Sequence, residues 1–76
     1  MATFTVLQGK RYRATITLSG IERWASNDMI AEKLRTAGFS EVSVSGLGTI
    51  RVAEALWPGT DNTGEMPAQV TAVVEI

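Results

Sequence analysis

The sequence predicts an α+β domain: a small, mostly antiparallel sheet of four to five strands, with one crossover helix packed on one face. Three observations predict it. Residues Arg11 to Leu18 alternate apolar and polar side chains, as a half-buried strand does. One segment, residues 26–37, carries both a helix start and a helix stop. Further alternating runs follow at 41–45, from Thr49 onward and at 69–76, separated by Gly- and Pro-bearing turns.

At the start of the chain, Phe4 and Val6 share the parity of Tyr12. Residues 3–7 either continue the Arg11–Leu18 strand through Gln8-Gly9-Lys10 or form the first arm of a hairpin. In the hairpin, Phe4 lies opposite Ala14 and Val6 opposite Tyr12. Polar Gln8 and Lys10 would interrupt a single inward row, which favours the hairpin. Within 11–18, Tyr12, Ala14, Ile16 and Leu18 form the inward row, and Arg11, Arg13, Thr15 and Thr17 point outward.

Ser26 is placed to cap the helix, Asp28 sits in its first turn, and Lys33 and Arg35 lie near its far end, as the backbone dipole prefers. Ile30, Leu34 and Ala37 share one stripe, with Ala31 at its border. Gly38 supplies the left-handed stop and Phe39 falls against Leu34, a Schellman ending. Ile21 and Trp24 lie off that stripe, so 19–25 reads as a connecting loop or separate turn, and Trp24 faces away from the main core.

Val42 and Val44 point inward from 41–45, Gly46-Leu47-Gly48 turns, and a strand resumes at Thr49. Its composition would also suit a helix, but it is short, follows a hairpin turn and stops at Pro58. Ile50 and Val52 read as its inward row, with Glu54 on that row hinting at a bulge; Trp57 has the opposite parity. Residues 58–67 read as a long loop, and Val70, Ala72, Val74 and Ile76 as the inward row of the last strand. Strand 11–18, the helix and strand 41–45 compose a βαβ-like unit whose strands need not be adjacent, a split βαβ or ferredoxin-like half. The uncovered face, with Arg11, Arg13, Thr15, Thr17, Ser43, Ser45 and Arg51, is polar enough to meet water directly.

A chain of 76 residues supports one core, hence a single domain over 1–76, and 45% apolar with 20% charged residues is an ordinary globular composition. Seven basic and eight acidic residues give a net charge of −1, which offers little long-range attraction to nucleic acid or an anionic membrane. No apolar run approaches the roughly 20 residues of a membrane helix, and Met1-Ala2-Thr3-Phe4 lacks the charged-then-apolar form of a signal peptide. The expectation is a stand-alone, soluble, cytoplasmic chain with no membrane partner.

Histidine and cysteine are both absent, which removes an imidazole base, a thiolate nucleophile, disulfides and the usual zinc sites. Lys10 in a turn and Lys33 opposite the apolar stripe read as solvated. The acid pairs Glu22 with Asp28 and Asp61 with Glu65 are neighbours such as any chain has. Gly46-Leu47-Gly48 lacks the third glycine and following helix of a dinucleotide fingerprint. Asp61-Asn62-Thr63-Gly64-Glu65 offers oxygen ligands without EF-hand spacing. The expectation is no catalysis, no cofactor and no metal.

Arg11, Arg13 and Arg51 on the open face are candidates for gripping phosphate, but Tyr12 points to the other face and leaves no aromatic interleaving for bases. Nucleic acid is therefore disfavoured. Trp57, where Pro58-Gly59 takes the chain out of the sheet, has two readings. One caps the open end of the core, with residues 60–67 over the ring. The other joins Trp57 with Trp24 and Met66 in a partly exposed apolar contact patch.

The stretch "ASNDMIAEKLRTAGFSEVSVSG" between two strands is similar to the first half of a SPOR-type peptidoglycan-binding domain, in which a helix rich in Ala and Leu ends in Ala-Gly-Phe before a strand. The likeness covers about half of the chain. The second long helix of such domains has no counterpart, since "PGTDNTGEMPAQ" occupies its place. What the resemblance implies is glycan binding on the sheet face.

The function expected is therefore that of a non-enzymatic module contacting another protein or copies of itself, as accessory and assembly proteins do, including those of phages. The alternative is a glycan-binding module that stacks sugar on Trp24 or Trp57.

Overall fold

The computed structural model describes residues 3–76; the signal-peptide expectation at Met1 and Ala2 lies outside them. In chain order the elements are β1 (Thr3–Val6), β2 (Arg11–Thr17), a 3₁₀ turn (Gly20–Trp24), α1 (Asn27–Thr36), β3 (Ser40–Ser45), β4 (Ile50–Leu56), β5 (Asn62–Glu65) and β6 (Val70–Glu75). They form an α+β fold with a four-stranded sheet ordered β3-β4-β2-β6 and a separate two-stranded ribbon of β1 and β5. Every neighbouring pair is antiparallel, so β2 and β3 run parallel with β4 between them.

The helix forms where its local signals place it. Ser26 accepts a hydrogen bond from the Met29 N–H at 3.1 Å. At the other end Gly38, at φ 113°, donates to the Arg35 carbonyl and Phe39 to the Leu34 carbonyl, which is the Schellman pair. Ile30 and Ala31 are buried and Leu34 is half-buried, whereas Ala37, expected on the apolar stripe, is exposed.

The hairpin expected for 3–18 is not formed, nor is one continuous strand. Both edges of β2 are occupied, one by β4 and the other by β6, which leaves β1 no ladder to join. The chain turns at Leu7–Lys10, with Gly9 at φ 79°, and the Gly9 N–H donates to the Trp57 carbonyl. Thus β1 leaves the sheet and pairs instead with β5, with Thr3 opposite Glu65 and Val6 opposite Asn62. This corrects the reading of 58–67 as unbroken loop. With β1 outside the sheet, the ferredoxin-like half is not established.

Two further expectations are corrected, both of side-chain parity. In β4 the inward row is Arg51, Ala53, Ala55 and Trp57, while Ile50 and Val52 face outward. Burying an aromatic of Trp57's size removes about 150–250 Å² from water, and the pairing of Tyr12 with Ala55 brings that ring over the core, whereas Ile50 is left half exposed. In β6 the register shifts between Thr15 and Ile16, a bulge at Thr71. An extra residue flips every later side chain, so Val70 and Val73 face inward and Ala72, Val74 and Ile76 face outward.

The inner face of the sheet is covered in two halves. Under α1, Ile16, Leu18, Ile30 and Ala53 form one cluster, with Leu34, Val44 and Val70 against it. Under the β1–β5 ribbon, Val6, Tyr12 and Trp57 form a second, joined by Phe4, Phe39 and Val73. The inward row of β2 expected from the sequence is thus in place, but the ribbon shares with the helix the task of covering it.

Candidate functional site

Trp57 is 9% exposed. Its Nε1 donates to the Thr60 carbonyl at 2.7 Å, and Gly59 lies against the ring. The segment after Pro58 does fold over the indole, which is the capping arrangement. Met66 is half-buried near it. Trp24 is elsewhere: 77% exposed, it belongs to the turn that packs at Arg51, six residues along β4 from Trp57 or roughly 20 Å. Trp57, Trp24 and Met66 therefore do not make one patch.

The three candidate arginines are also separated. Arg11 and Arg13 lie on the open face, where Arg11 meets Glu41 at 3.3 Å and Arg13 meets Glu54 at 2.9 Å. Such exposed pairs contribute little to stability, but they occupy both guanidinium groups. Arg51, expected on that face, is instead buried on the inner face, 4% exposed. Its guanidinium donates to the Gly48 carbonyl (3.1 Å), Asn27 Oδ1 (2.8 Å) and the Arg23 carbonyl (2.9 Å). Asn27 Nδ2 in turn donates to the Gly46 carbonyl. One buried cation thus fastens the 3₁₀ turn, the start of α1 and the Gly46–Gly48 turn together.

Those two fastened turns carry the three most exposed large apolar side chains among the described residues: Leu47 at 91%, Ile21 at 86% and Trp24. The Arg23 guanidinium stands 5.3 Å from the Trp24 ring centroid. A second brace comes from Glu22, which accepts from Gln69 Nε2 at 2.7 Å and from the Ser19 N–H. The Gln69 bond, followed by the Ser19 backbone bond, holds the Glu22 carboxyl below its ordinary value. Ile21 and Leu47 were missed by sequence reasoning, although a leucine between two glycines at positive φ is a turn tip by construction.

The open face is more apolar than expected. Val52, Leu56, Val74 and Ile76 stand beside the arginines and threonines, because both parity changes turn aliphatic side chains outward. At one border of this face, no strand pairs with the outer edge of β6 among the described residues. The opposite border, β3, carries a bulge at Glu41, whose φ is 50°.

Between α1 and the ribbon the inner face leaves a cleft of about 350 Å³. Its floor is Ala14, Ala53 and Ala55, and Leu34, Val6 and Trp57 stand among its walls. Sealed and dry, a void of that size would cost about 8 kcal/mol at roughly 24 cal/mol per Å³, comparable to the whole stability of a small domain. The cleft is open to solvent on one side, which lowers that cost.

One member of each acidic pair has a structural partner. Glu22 is engaged with Gln69, and Asp61 accepts from the Gln8 N–H at 2.8 Å. Residues 62–65 are strand β5, whose alternation sends successive oxygen ligands to opposite faces of the ribbon. The SPOR-type likeness gains no support from the fold, since a strand and two turns stand where the second helix would be. Compared with family models, curated proteins and solved structures, the chain matches none, and its role has to be argued from its own residues.

Proposed function

We propose that this protein is a non-enzymatic assembly module that associates with copies of itself along the free edge of β6. The observation that carries this reading is that edge: beyond Val70, whose N–H donates to the Pro67 carbonyl, β6 has no partner strand on its outer side among the described residues, and half-exposed Val74 and Ile76 border it on the open face. Edge strands are ordinarily blunted by lysine, proline, charge or a bulge; this one has no lysine or proline between residues 70 and 75, and its bulge at Thr71 and charge at Glu75 lie toward its two ends, leaving Ala72 to Val74 between them. Antiparallel pairing of β6 with β6 about a two-fold axis is self-complementary, so a second copy is the occupant the geometry favours. A net charge of −1 raises almost no long-range repulsion between copies.

A second reading rests on the braced tip of Ile21, Trp24 and Leu47, which presents apolar anchors already held in place. It too supports contact between proteins. Sugar stacking has one exposed indole left, Trp24, with Arg23 over the ring.

Sedimentation velocity from micromolar to millimolar concentration separates these readings. The expected result is a dimer that Val74→Lys converts to monomer and that Trp24→Ser with Leu47→Ser leaves intact. Dissociation by the tip variant instead transfers the interface to the tip. A monomer at every concentration overturns self-association, and retention on peptidoglycan that is lost in Trp24→Ser would replace it with glycan binding.

A further inference from the structure

We infer that the cleft between α1 and the β1–β5 ribbon binds a small, neutral molecule with a hydrocarbon or aryl body. The inference does not rest on self-association: β6 lends the cleft the inward side chains of Val70 and Val73, on the inner side of the sheet, and not its free backbone edge.

Size is the first ground. About 350 Å³ falls at the small end of the range of natural ligand pockets and is roughly twice the engineered cavity that admits benzene. The room exists because three neighbouring inward positions on β2 and β4, Ala14, Ala53 and Ala55, hold the smallest apolar side chain. Of the three, Ala14 is half-buried, and a larger aliphatic residue there would take up part of the room.

Hydrogen bonding sets the chemistry. Two polar atoms belong to the aromatic walls, and each already has a partner within the protein. Trp57 Nε1 donates to the Thr60 carbonyl, and the Tyr12 hydroxyl accepts from the Leu7 N–H at 2.7 Å. Apart from the Tyr12 O–H proton, which this bond leaves able to donate, the alanine floor and the aromatic walls offer no directed polar bond, which suits a hydrocarbon or aromatic ring. The charged side chains at the cleft are one cation and one anion, Lys33 and Glu65. Their opposite signs give neither an anionic nor a cationic head group an advantage, and a neutral molecule is the best match.

The cleft carries its own reporter, since Trp57 forms part of its wall while Trp24 is remote and exposed. Trp24→Phe leaves Trp57 as the single indole. In that variant, N-phenyl-1-naphthylamine, a neutral aryl probe, is expected to give saturable emission on excitation through Trp57. It is also expected to raise Tm by about 5 °C near saturation. Displacement by 1-decanol assigns the site to alkyl chains as well as aryl rings; failure to displace restricts it to aryl rings. Ala14→Leu, which fills the floor from a half-buried position, is expected to weaken the probe at least roughly tenfold with Tm unchanged or raised. Should Ala14→Leu fail to fold, Ala14→Val makes the same test with a smaller side chain. Absence of saturable binding, or equal binding in a folded floor-filled variant, overturns the inference.

Discussion

The Phe39 ring stands edge-on to the indole of Trp57, with centroids 5.0 Å apart and planes at 67°, so the C-terminal stop of α1 and the exit of β4 meet in one aromatic junction. Tyr12 and Phe4 make a similar contact at 5.4 Å on the ribbon side. Trp57 therefore joins the covering elements to the sheet, and Trp57→Ala is expected to lower stability by roughly 3–5 kcal/mol in urea unfolding. A loss under about 1 kcal/mol would mean that the ring contributes little to the core.

Gly38 shares that junction. A Cβ at this position would stand 3.1 Å from the Trp57 ring, on backbone at φ 113° that L-residues rarely adopt. Gly38→Ala is expected to cost about 1–3 kcal/mol in the same assay and to shift near-ultraviolet circular dichroism from the tryptophan.

Arg51→Met keeps much of the side chain's length and removes its three hydrogen bonds, leaving the Arg23 and Gly48 carbonyls without this partner. The expected loss is about 2–4 kcal/mol, with faster amide exchange in both turns than elsewhere. Uniformly faster exchange would show that the guanidinium does not specifically fasten them.

Glu22 supplies a pH test. Its carboxyl is held below its ordinary value by Gln69 and then by the Ser19 backbone. A lowered folded-state value means that its stabilising contribution is present above the unfolded value of about 4.3 and is lost as pH falls through the folded value. Thermal melts between about pH 6 and pH 3 should show a shallower acid decline in Glu22→Gln than in the parent protein. Identical slopes would remove Glu22 from the acid response.

The tip residues should behave in the opposite way to Trp57. Leu47→Ser and Trp24→Ser, at highly exposed positions, are expected to change unfolding free energy by no more than about 0.5 kcal/mol. A larger loss would show that these side chains support the two turns rather than merely projecting from them.

The helix was legible because its signals are local: Ser26, Gly38 and Phe39 lie within three residues of the ends they define. Parity in β4 was not, because Ile50 and Val52 are more apolar than Ala53 and Ala55, and apolar character alone selects the wrong row. What reverses it is nonlocal, the seating of Trp57 beside Tyr12 and the fastening of two turns by Arg51. The bulge at Thr71 has no marker in Val-Thr-Ala-Val-Val, and Asn-Thr-Gly-Glu lacks the apolar alternation that reveals a strand. β5 exists through its pairing with β1. For the same reason the cleft could not be read in advance, since alanines on two strands become a floor only after the register is known.

The order of pairing has a consequence for biosynthesis. β1 needs β5, and the central β2 needs β4 on one side and β6 on the other, so the earliest strands are completed by the latest. A nascent chain emerging from the ribosome with only its first fifty residues has a helix but no finished ladder for β1 or β2. Completion of the sheet must wait for translation to reach β6, and distant pairings of this kind close more slowly than those of a helical bundle of equal length.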